Sequence, residues 1–294
     1  AVFRSPSGDE PGFLIVWGGT DSGGACNTGA IYDVNRDVWH PMSTAGAPTP
    51  LTGQHAFWTG DRMLVWGGSG GLYSFDVAYD GSTAQYKPVH QQWREMSHAG
   101  EPGNGAAVWT GTQLIVYEGL HAPYGGTAQY IAGRYSPSSD SWQSLPSFPE
   151  GVWEGPTYRS PANAVWTGND MIVYGGRYGW WGDDDSGQGS DGGIVSFNPA
   201  TNAWSSRSRG LNRESYFAAW TGAQMIVWGG VSYFRSSLAG SWDECYAYVA
   251  SGALYDPTSD KWRVIGGSPQ PSSRSGQQCV WTGGELIIWG GATR

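Results

Sequence analysis

Three arginines recur at one position relative to a repeated tripeptide. Arg159, Arg213 and Arg274 each lie seven residues before the Trp of a Trp-Thr-Gly sequence, whereas Leu51 and Pro102 precede two other copies. A guanidinium presents a planar fork of N–H donors that suits a carboxylate or a phosphate. We therefore predict a one-sided ligand-binding cluster of arginines. The alternative is a structural role, in which each arginine binds carbonyl or carboxylate oxygens of its neighbours.

Glu118 and His121 are weak candidates for proton transfer. Glu118 replaces the first glycine of a recurring Gly-Gly pair, and His121 follows it by three residues. A carboxylate and an imidazole can both move protons near neutral pH. Surface positions without chemistry are the alternative. No His-x-x-x-His or P-loop pattern is present, and we assign no catalytic residue.

A segment of aromatic, acidic and glycine residues begins at Tyr178. Its carboxylates resemble a calcium loop, since Ca²⁺ takes several oxygen ligands on a flexible turn. The predicted Ca²⁺ ligands are Asp183, Asp185 and Asp191. A solvated acidic loop is the alternative. Aromatic rings of the same segment could stack on a sugar or anchor a partner, and these are Tyr178, Trp180 and Trp181.

Residues 231–252 form a second aromatic-rich segment. It has few aliphatic residues, and such a density of rings predicts contact with a ligand or a partner. The predicted contact residues are Tyr233, Phe234 and Trp242. The alternative is that this segment folds over and buries its own rings.

An internal repeat explains the spacing of these candidates. Trp-Thr-Gly occurs five times, at intervals of 51, 57, 54 and 61 residues, and an aromatic residue follows each Trp by eight residues. Gly-Gly follows that aromatic residue except at Glu118. A short apolar segment, a glycine-containing turn and an apolar run predict a tight β-hairpin. The copies of Trp-Thr-Gly begin at Trp58, Trp109, Trp166, Trp220 and Trp281.

A second half-repeat follows each hairpin and reads Tyr or Phe, a polar turn, and then Trp. Leu254-Tyr255-Asp256 leading to Trp262 is one example. Each unit thus predicts four antiparallel strands, which is one blade of a propeller. Fourteen of the 18 Trp residues belong to this pattern, and we expect them to pack between blades.

These elements make the chain similar to the kelch-repeat family of β-propellers, in a bacterial secreted subtype. The resemblance covers essentially the whole chain and implies one all-β domain, residues 1–294. We expect this domain to be a six-bladed kelch-like propeller of four-stranded antiparallel blades, whose sixth blade is incomplete at the C-terminus. The expected blades span about 1–40, 54–94, 105–143, 162–205 and 216–263, with a half blade at about 277–291.

The long segments between second and third strands should emerge on one face and carry any site. They are residues 69–81, 120–133, 177–193 and 231–252. We expect this face to bind a protein partner or a carbohydrate. The edge at residues 285–289 is also exposed by the missing strands, so we expect a partner, or more of the natural chain, to cover it.

The cysteines lead to a further expectation. Cys26 and Cys245 fall in second-to-third segments of the first and fifth blades, on one face of the predicted propeller. The 22 residues of 231–252 could span the intervening gap. We predict a Cys26–Cys245 disulfide, with free thiols as the alternative, and a buried free thiol at Cys279. A disulfide would place the protein in the extracellular space or the periplasm.

Composition excludes some classes of function. The net charge is −9 and the isoelectric point is near 4.9, which disfavours a nucleic acid partner. No apolar run is long enough for a transmembrane segment. We expect an extracytoplasmic binding module, acting alone or as a subunit of a larger assembly. The rival implied by the resemblance is an enzyme of the sialic-acid mutarotase or glutaminyl cyclase type, whose arginines would hold a substrate carboxylate.

Overall fold

In the computed structural model, most of the described residues form β-strands. The described residues are 1–4, 12–50, 53–67, 71–79, 88–98, 105–121, 129–147, 163–180, 187–190, 192–238, 241–265 and 271–292. Within these ranges, no helix is long and apolar enough to cross a membrane. The chain forms two compact units, of which the first is Ala1–Asn104, Gly111–Leu114 and Tyr135–Gln143, and the second is Gly105–Thr110, Ile115–Arg134 and Ser144–Arg294.

The first unit contains two four-stranded sheets, which are blades 1 and 2. The strands of blade 1 and its short inserted hairpin are β1 (Val2–Arg4), β2 (Phe13–Trp17), β3 (Thr20–Asp21), β4 (Gly24–Ala25), β5 (Gly29–Asp33) and β6 (Val38–Pro41). Blade 2 consists of β7 (Gln54–Trp58), β8 (Arg62–Gly67), β9 (Leu72–Tyr79) and β10 (Pro88–Glu95). The sheet orders are β1-β2-β5-β6 and β7-β8-β9-β10, and β3 pairs with β4.

Blade 3 has the order β11-β12-β13-β14 and contributes residues to both units. Its strands are β11 (Ala106–Trp109), β12 (Leu114–His121), β13 (Gln129–Ser136) and β14 (Ser141–Ser144). The second unit continues with blade 4, of order β15-β16-β19-β20. Its strands and inserted hairpin are β15 (Asn163–Trp166), β16 (Met171–Tyr174), β17 (Arg177–Trp180), β18 (Gly187–Ser190), β19 (Ile194–Asn198) and β20 (Ala203–Arg207).

Blade 5 has the order β21-β22-β25-β26, with a two-stranded insertion, β23-β24. Its strands are β21 (Phe217–Trp220), β22 (Met225–Trp228), β23 (Val231–Leu238), β24 (Ser241–Tyr248), β25 (Gly252–Asp256) and β26 (Lys261–Ile265). The last described strands, β27 (Gln278–Trp281) and β28 (Leu286–Trp289), form a two-stranded sheet. Five four-stranded blades and one hairpin agree with the predicted propeller and its incomplete sixth blade.

Each Trp-Thr-Gly sequence closes the first hairpin of its blade. In blade 5, Thr221 N donates to Gln224 O at 2.9 Å, and Gln224 N donates to Thr221 Oγ1 at 3.0 Å. Gly222 has a φ of +99°, a conformation that glycine adopts without steric cost. Thr282 and Gly283 repeat this turn in the final hairpin, where φ at Gly283 is +102°. In blade 5 the eight-residue spacing is the sum of a four-residue turn, residues 221–224, and the four-residue second strand Met225–Trp228.

The hydrophobic core lies between successive sheets. Between blades 4 and 5, Ile172 and Tyr174 pack against Met225, Val227 and Tyr255. Between blades 1 and 2, and between blades 3 and 4, equivalent second-strand residues form the same kind of cluster. Second strands are nearly continuous apolar runs because both of their faces are buried.

Within each unit, the first strands of successive blades lie side by side. β1 lies beside β7 in the first unit, and β11, β15, β21 and β27 follow one another in the second. Antiparallel blades that pack face to face with neighbouring first strands define a β-propeller. The fold class predicted from the repeat is confirmed.

The loop predicted at residues 69–81 is wrong over its described part. Leu72–Tyr79 form β9, which pairs with β8, where Met63 lies opposite Phe75. Phe75 is fully buried and its ring is 4.9 Å from that of Trp93, so it is the third-strand aromatic residue. The other three predicted loops contain strands that extend a hairpin from the blade.

The Trp residues are less uniformly buried than the repeat suggests. Trp66, Trp93, Trp204 and Trp228 are buried, as expected. All five Trp residues of Trp-Thr-Gly are half-buried, and they stand at the turn end of a hairpin. Trp39 is 52% exposed and Trp289 is 70% exposed, so the prediction that all fourteen pack between blades is wrong for these two.

Candidate functional site

Two adjacent β-hairpins extend from the connections between second and third strands in blades 4 and 5. β17 and β18 pair from Arg177 opposite Ser190 to Trp180 opposite Gly187. β23 and β24 pair over eight residues each, from Val231 opposite Tyr248 to Leu238 opposite Ser241. β18 lies beside β23, so the two hairpins form one surface of the second unit. We call β17, β18, β23 and β24 the paired hairpins.

The paired hairpins carry most of the predicted contact residues. In the register of β23 and β24, Tyr233 lies opposite Tyr246, Phe234 opposite Cys245, and Ser237 opposite Trp242. The structure brings the backbones of five candidates to neighbouring strands, namely Tyr178, Trp180, Tyr233, Phe234 and Trp242. Trp181 lies outside the described residues. Val231–Leu238 and Ser241–Tyr248 pair as a regular hairpin, and the alternative that this segment buries its own rings stays untested.

Arg213 is built into the backbone of blade 5. Only 3% of it is exposed. Nη1 donates to Ser251 O at 2.6 Å and to Gly229 O at 3.2 Å, and Nη2 donates to Ser251 Oγ at 2.9 Å. Burial lowers the pKa of this guanidinium from its ordinary value. The contacts of Arg213 are therefore those of the structural alternative, since its fork holds the end of β22 to the start of β25.

Arg274 occupies the equivalent position in the last hairpin. Its Nη1 donates to Gly290 O at 2.8 Å, as Arg213 does to Gly229 O sixteen residues further on. The rest of its guanidinium turns back to Ser272, with Nε donating to the carbonyl at 3.1 Å and Nη2 to Oγ at 2.9 Å. Arg274 is half-buried. Arg159 lies outside the described residues, so the predicted cluster of three stays a prediction.

Glu118 changes the course of the second strand in blade 3. The equivalent residues Gly175, Gly229 and Gly290 have φ values of +62°, +68° and +71°, and the second strand ends at that point. Glu118 is not among the residues with positive φ, and β12 continues to His121. The substitution of Glu for Gly thus lengthens a hairpin. Glu118 is half-buried, and the proton-transfer role of this pair stays a prediction.

A side-chain hydrogen bond that the sequence did not reveal joins successive blades, and we call it a latch. Its donor lies three residues after the arginine position. Gln277 Nε2 donates to Trp228 O at 2.9 Å, and Gln54 Nε2 donates to Trp17 O at 3.5 Å. Each acceptor is the backbone carbonyl of the last aromatic residue in the second strand of the preceding blade. In blade 5, Tyr216 Oη donates to Tyr174 O in the same way. The signal was a Gln or Tyr at a fixed distance before Trp-Thr-Gly.

The fourth-strand Trp of blades 2, 3, 4 and 5 forms a second latch at the outer end of the blade. Trp262 Nε1 donates to Ser208 O at 3.0 Å, and the carboxylate of Asp260 accepts Ser208 N at 2.9 Å. Equivalent indole bonds of 2.8–2.9 Å join Trp93 to Ser43, Trp142 to Ser97 and Trp204 to Pro146. In blades 2 to 5 the repeated Trp therefore ties the blade to the link that follows the blade before it.

The cysteine and metal predictions have different outcomes. The prediction of a Cys26–Cys245 disulfide is wrong for this structure, because Cys26 is a free thiol. Its Sγ donates to Gly24 O at 3.7 Å. The tight β3–β4 hairpin turns Cys26 toward its own backbone. A hydrogen bond to the carboxylate of Asp21 raises the pKa of the Cys26 thiol. Cys279 is a free thiol as predicted, but it is half-buried rather than buried.

The predicted calcium ligands Asp183, Asp185 and Asp191 lie outside the described residues, so the Ca²⁺ site stays a prediction. In the part of the chain that the structure does describe, no group of three or more His, Cys, Asp or Glu side chains is placed to hold a metal ion.

The function of the protein is inferred from its fold and its surfaces. No family model matches the chain, and no curated protein matches it significantly. The fold and the paired hairpins define the class of protein as a β-propeller that carries inserted hairpins in two neighbouring blades.

Proposed function

We propose that the protein is an extracytoplasmic kelch-type propeller that acts as a binding module, with the paired hairpins as its ligand-binding surface. The observation that carries this proposal is the contact between β18 and β23, which joins two aromatic-rich insertions into one surface. A rigid scaffold that presents extended hairpins is a common basis for recognition. The ligand is a carbohydrate or a protein, and Ca²⁺ at Asp183, Asp185 and Asp191 is part of the proposal.

The chemistry of the hairpin sequences favours a carbohydrate. Tyr and Trp rings offer flat apolar surfaces with a polar edge, which suit the faces of sugar rings. Asp243 and Glu244 in β24 add acceptors for hydroxyl groups. The propeller enzyme remains the rival, but Arg213 gives it little support, because its donors are bound to backbone and hydroxyl oxygens of blade 5.

A glycan array probed with the fluorescently labelled protein tests the carbohydrate ligand. We expect a family of glycans that binds the native protein and loses at least tenfold in affinity on Trp242→Ala or Tyr233→Ala. Val264→Ala is the matched control, because Val264 is 59% exposed on β26 of the same blade. Equal losses for the control would place the effect in the scaffold rather than the hairpins.

Photo-crosslinking tests a protein ligand. A photoreactive amino acid at position 242 should crosslink a partner in the envelope of the producing cell, and the same amino acid at position 264 should not. Absence of binding on the array together with absence of a crosslink from position 242 would overturn the proposed function. The proposal also includes a partner that covers β28, the last described strand, and this edge is a separate surface.

A further inference from the structure

The register of β23 and β24 divides the residues of this hairpin between two faces. Successive residues of a strand belong to opposite faces, and directly opposed residues belong to the same face. One face therefore comprises the odd-numbered residues of 231–237 and the even-numbered residues of 242–248. All three Tyr residues and the Trp of the hairpin belong to it, whereas Phe234 belongs to the other face. We call the first face the aromatic face.

We propose that the aromatic face binds an unbranched, uncharged oligosaccharide that lies along β24. This inference rests on the proposed function, and it adds which face of the hairpin binds and what shape and charge the glycan has. Every second position of β24 contributes to this face, and the residues are Tyr248, Tyr246, Glu244 and Trp242. Each step is about 6.8 Å, and the whole row is about 20 Å long. Such a straight row suits consecutive units of a linear chain, because a compact or branched glycan reaches only part of it.

The charge of the aromatic face favours a neutral glycan. Arg235 lies opposite Glu244 within the row, so the formal charges of this face cancel. A guanidinium offers donors and a carboxylate offers acceptors for hydroxyl groups. The aromatic residues on either side add flat apolar surfaces with polar edges. An acidic glycan would meet one anion for each cation, so an uncharged chain of sugars fits this face better.

The area of the aromatic face is too small for a stable protein interface. Two strands are about 10 Å wide, so the face covers about 200 Å² in plan. A stable protein interface buries about 800 Å² on each partner. An oligosaccharide of a few units matches the smaller area.

Burial at the root of the hairpin separates the two faces. Val231, on the aromatic face, is 7% exposed, whereas Ala247, on the other face, is exposed. The aromatic face is therefore turned toward the blade at its root. Val231 and Glu214 exchange backbone hydrogen bonds of 2.8 and 2.9 Å, and Val249 N donates to Gly230 O at 3.0 Å. Binding sites for small ligands are concave, so the inner side of a hairpin that is fixed at both ends suits a glycan better than the outer side.

Oligosaccharides of increasing length test the shape and the charge of the ligand. The neutral probes are cello-, malto- and N-acetylated chito-oligosaccharides, and the acidic probes are oligogalacturonates, each from the monosaccharide to the hexasaccharide. Isothermal titration calorimetry on the full chain should show binding of a neutral series. Its affinity should rise with length and level off once the glycan spans the row of about 20 Å. The acidic series should bind at least tenfold more weakly.

Two adjacent serines test which face binds. Ser237 lies opposite Trp242 on the aromatic face, and Ser236 lies opposite Asp243 on the other face. Ser237→Arg should weaken glycan binding by at least tenfold because a bulky cation enters the row, whereas Ser236→Arg should keep the native affinity within about twofold. The two variants carry the same change at neighbouring positions. Their midpoints of urea denaturation, which we expect to equal that of the native protein, check that both are folded.

Several results would overturn this inference. They are no binding of any neutral series at millimolar concentration, affinity that does not rise with length, tighter binding of the acidic series, and equal effects of Ser236→Arg and Ser237→Arg. A loss of urea stability in Tyr246→Ala with unchanged glycan affinity would do the same, because the aromatic face would then pack on the blade. In each case a ligand that is found by the array or by crosslinking, and is lost on Trp242→Ala, would leave the proposed function standing. Absence of such a ligand would overturn the proposed function as well.

Discussion

Trp204 Nε1 lies 2.9 Å from the carbonyl oxygen of Pro146, so that the fourth strand of blade 4 is bonded to the link that leaves blade 3. The same bond joins Trp93, Trp142 and Trp262 to serine carbonyls. In those blades a side chain two residues before the Trp also accepts the serine N–H, and it belongs to Gln91, Asp140 or Asp260. Pro146 has no N–H to donate, and Asn202 is the residue two positions before Trp204.

Two substitutions of Trp204 should destabilise the protein by different amounts. Trp204 is 7% exposed, so Trp204→Ala should lower the free energy of unfolding by about 3–5 kcal/mol through loss of packing. Trp204→Phe keeps a ring but removes the donor, and should cost about 1–2 kcal/mol. Urea denaturation followed by circular dichroism measures both. Trp39→Ala is the control, and a loss as large as that of Trp204→Ala would contradict this division of roles.

Acidification should weaken the outer latches. Hydrogen bonds from Tyr135 Oη and from Ser97 N lower the pKa of Asp140 below its ordinary value. A lowered pKa means that the folded state favours the carboxylate, so its stabilising effect is present above about pH 4 and is lost as the pH falls through the lower pKa. Thermal unfolding between pH 7 and pH 2.5 should show this loss. Asp140→Asn should be less stable at pH 7 and less sensitive to acid, whereas an unchanged pH profile would contradict the assignment.

Arg213 should be needed for stability. Arg213→Lys removes the fork that holds Gly229 and Ser251, and should cost about 2–4 kcal/mol because buried oxygens lose a charged donor. Arg263→Lys is a suitable control, since Arg263 is exposed on β26. Chemical denaturation compares the two variants. Native stability of Arg213→Lys would show that its guanidinium is available for a ligand instead.

Cys26 and Cys279 should react as free thiols, and Cys279 should react slowly. Burial raises the pKa of Cys279 to about 11, from an ordinary value of 9.0. A shift of two units leaves about a hundredfold less thiolate at pH 8, and the thiolate is the reactive form. Labelling with iodoacetamide, followed by peptide mass spectrometry, should show much faster modification of Cys279 after unfolding. Equal rates in the folded and unfolded protein would contradict the assigned environment.

Local spacing predicted the hairpins because Trp-Thr-Gly and the apolar run after it encode a turn and a buried strand within a dozen residues. Blade 2 was misread because its third and fourth strands have Gln91 where other blades have Asp or Asn before the Trp, and no short polar turn marks them. The latches of Gln54 and Gln277 join residues 37 and 49 positions apart. They depend on how blades pack, so the residues of one repeat do not reveal them.

The arginines show the same limit at the candidate site. Their equal spacing correctly placed Arg213 and Arg274 at equivalent positions, since both donate to the carbonyl sixteen residues later. Whether a fork faces a ligand or a carbonyl depends on the residue just before the third strand, Ser251, which lies 38 residues after Arg213. The contact between β18 and β23 likewise joins insertions of two different blades, which no local pattern encodes.

The central claim is that the paired hairpins bind the ligand while the arginines hold the scaffold. Its most direct test is glycan-array binding by three proteins, namely the native chain, Trp242→Ala and Arg274→Ala, each first shown to be folded by circular dichroism. We predict that Trp242→Ala loses the glycan signal and that Arg274→Ala keeps it. Loss of the signal in Arg274→Ala with full binding by Trp242→Ala would contradict the account and place the ligand at the arginines.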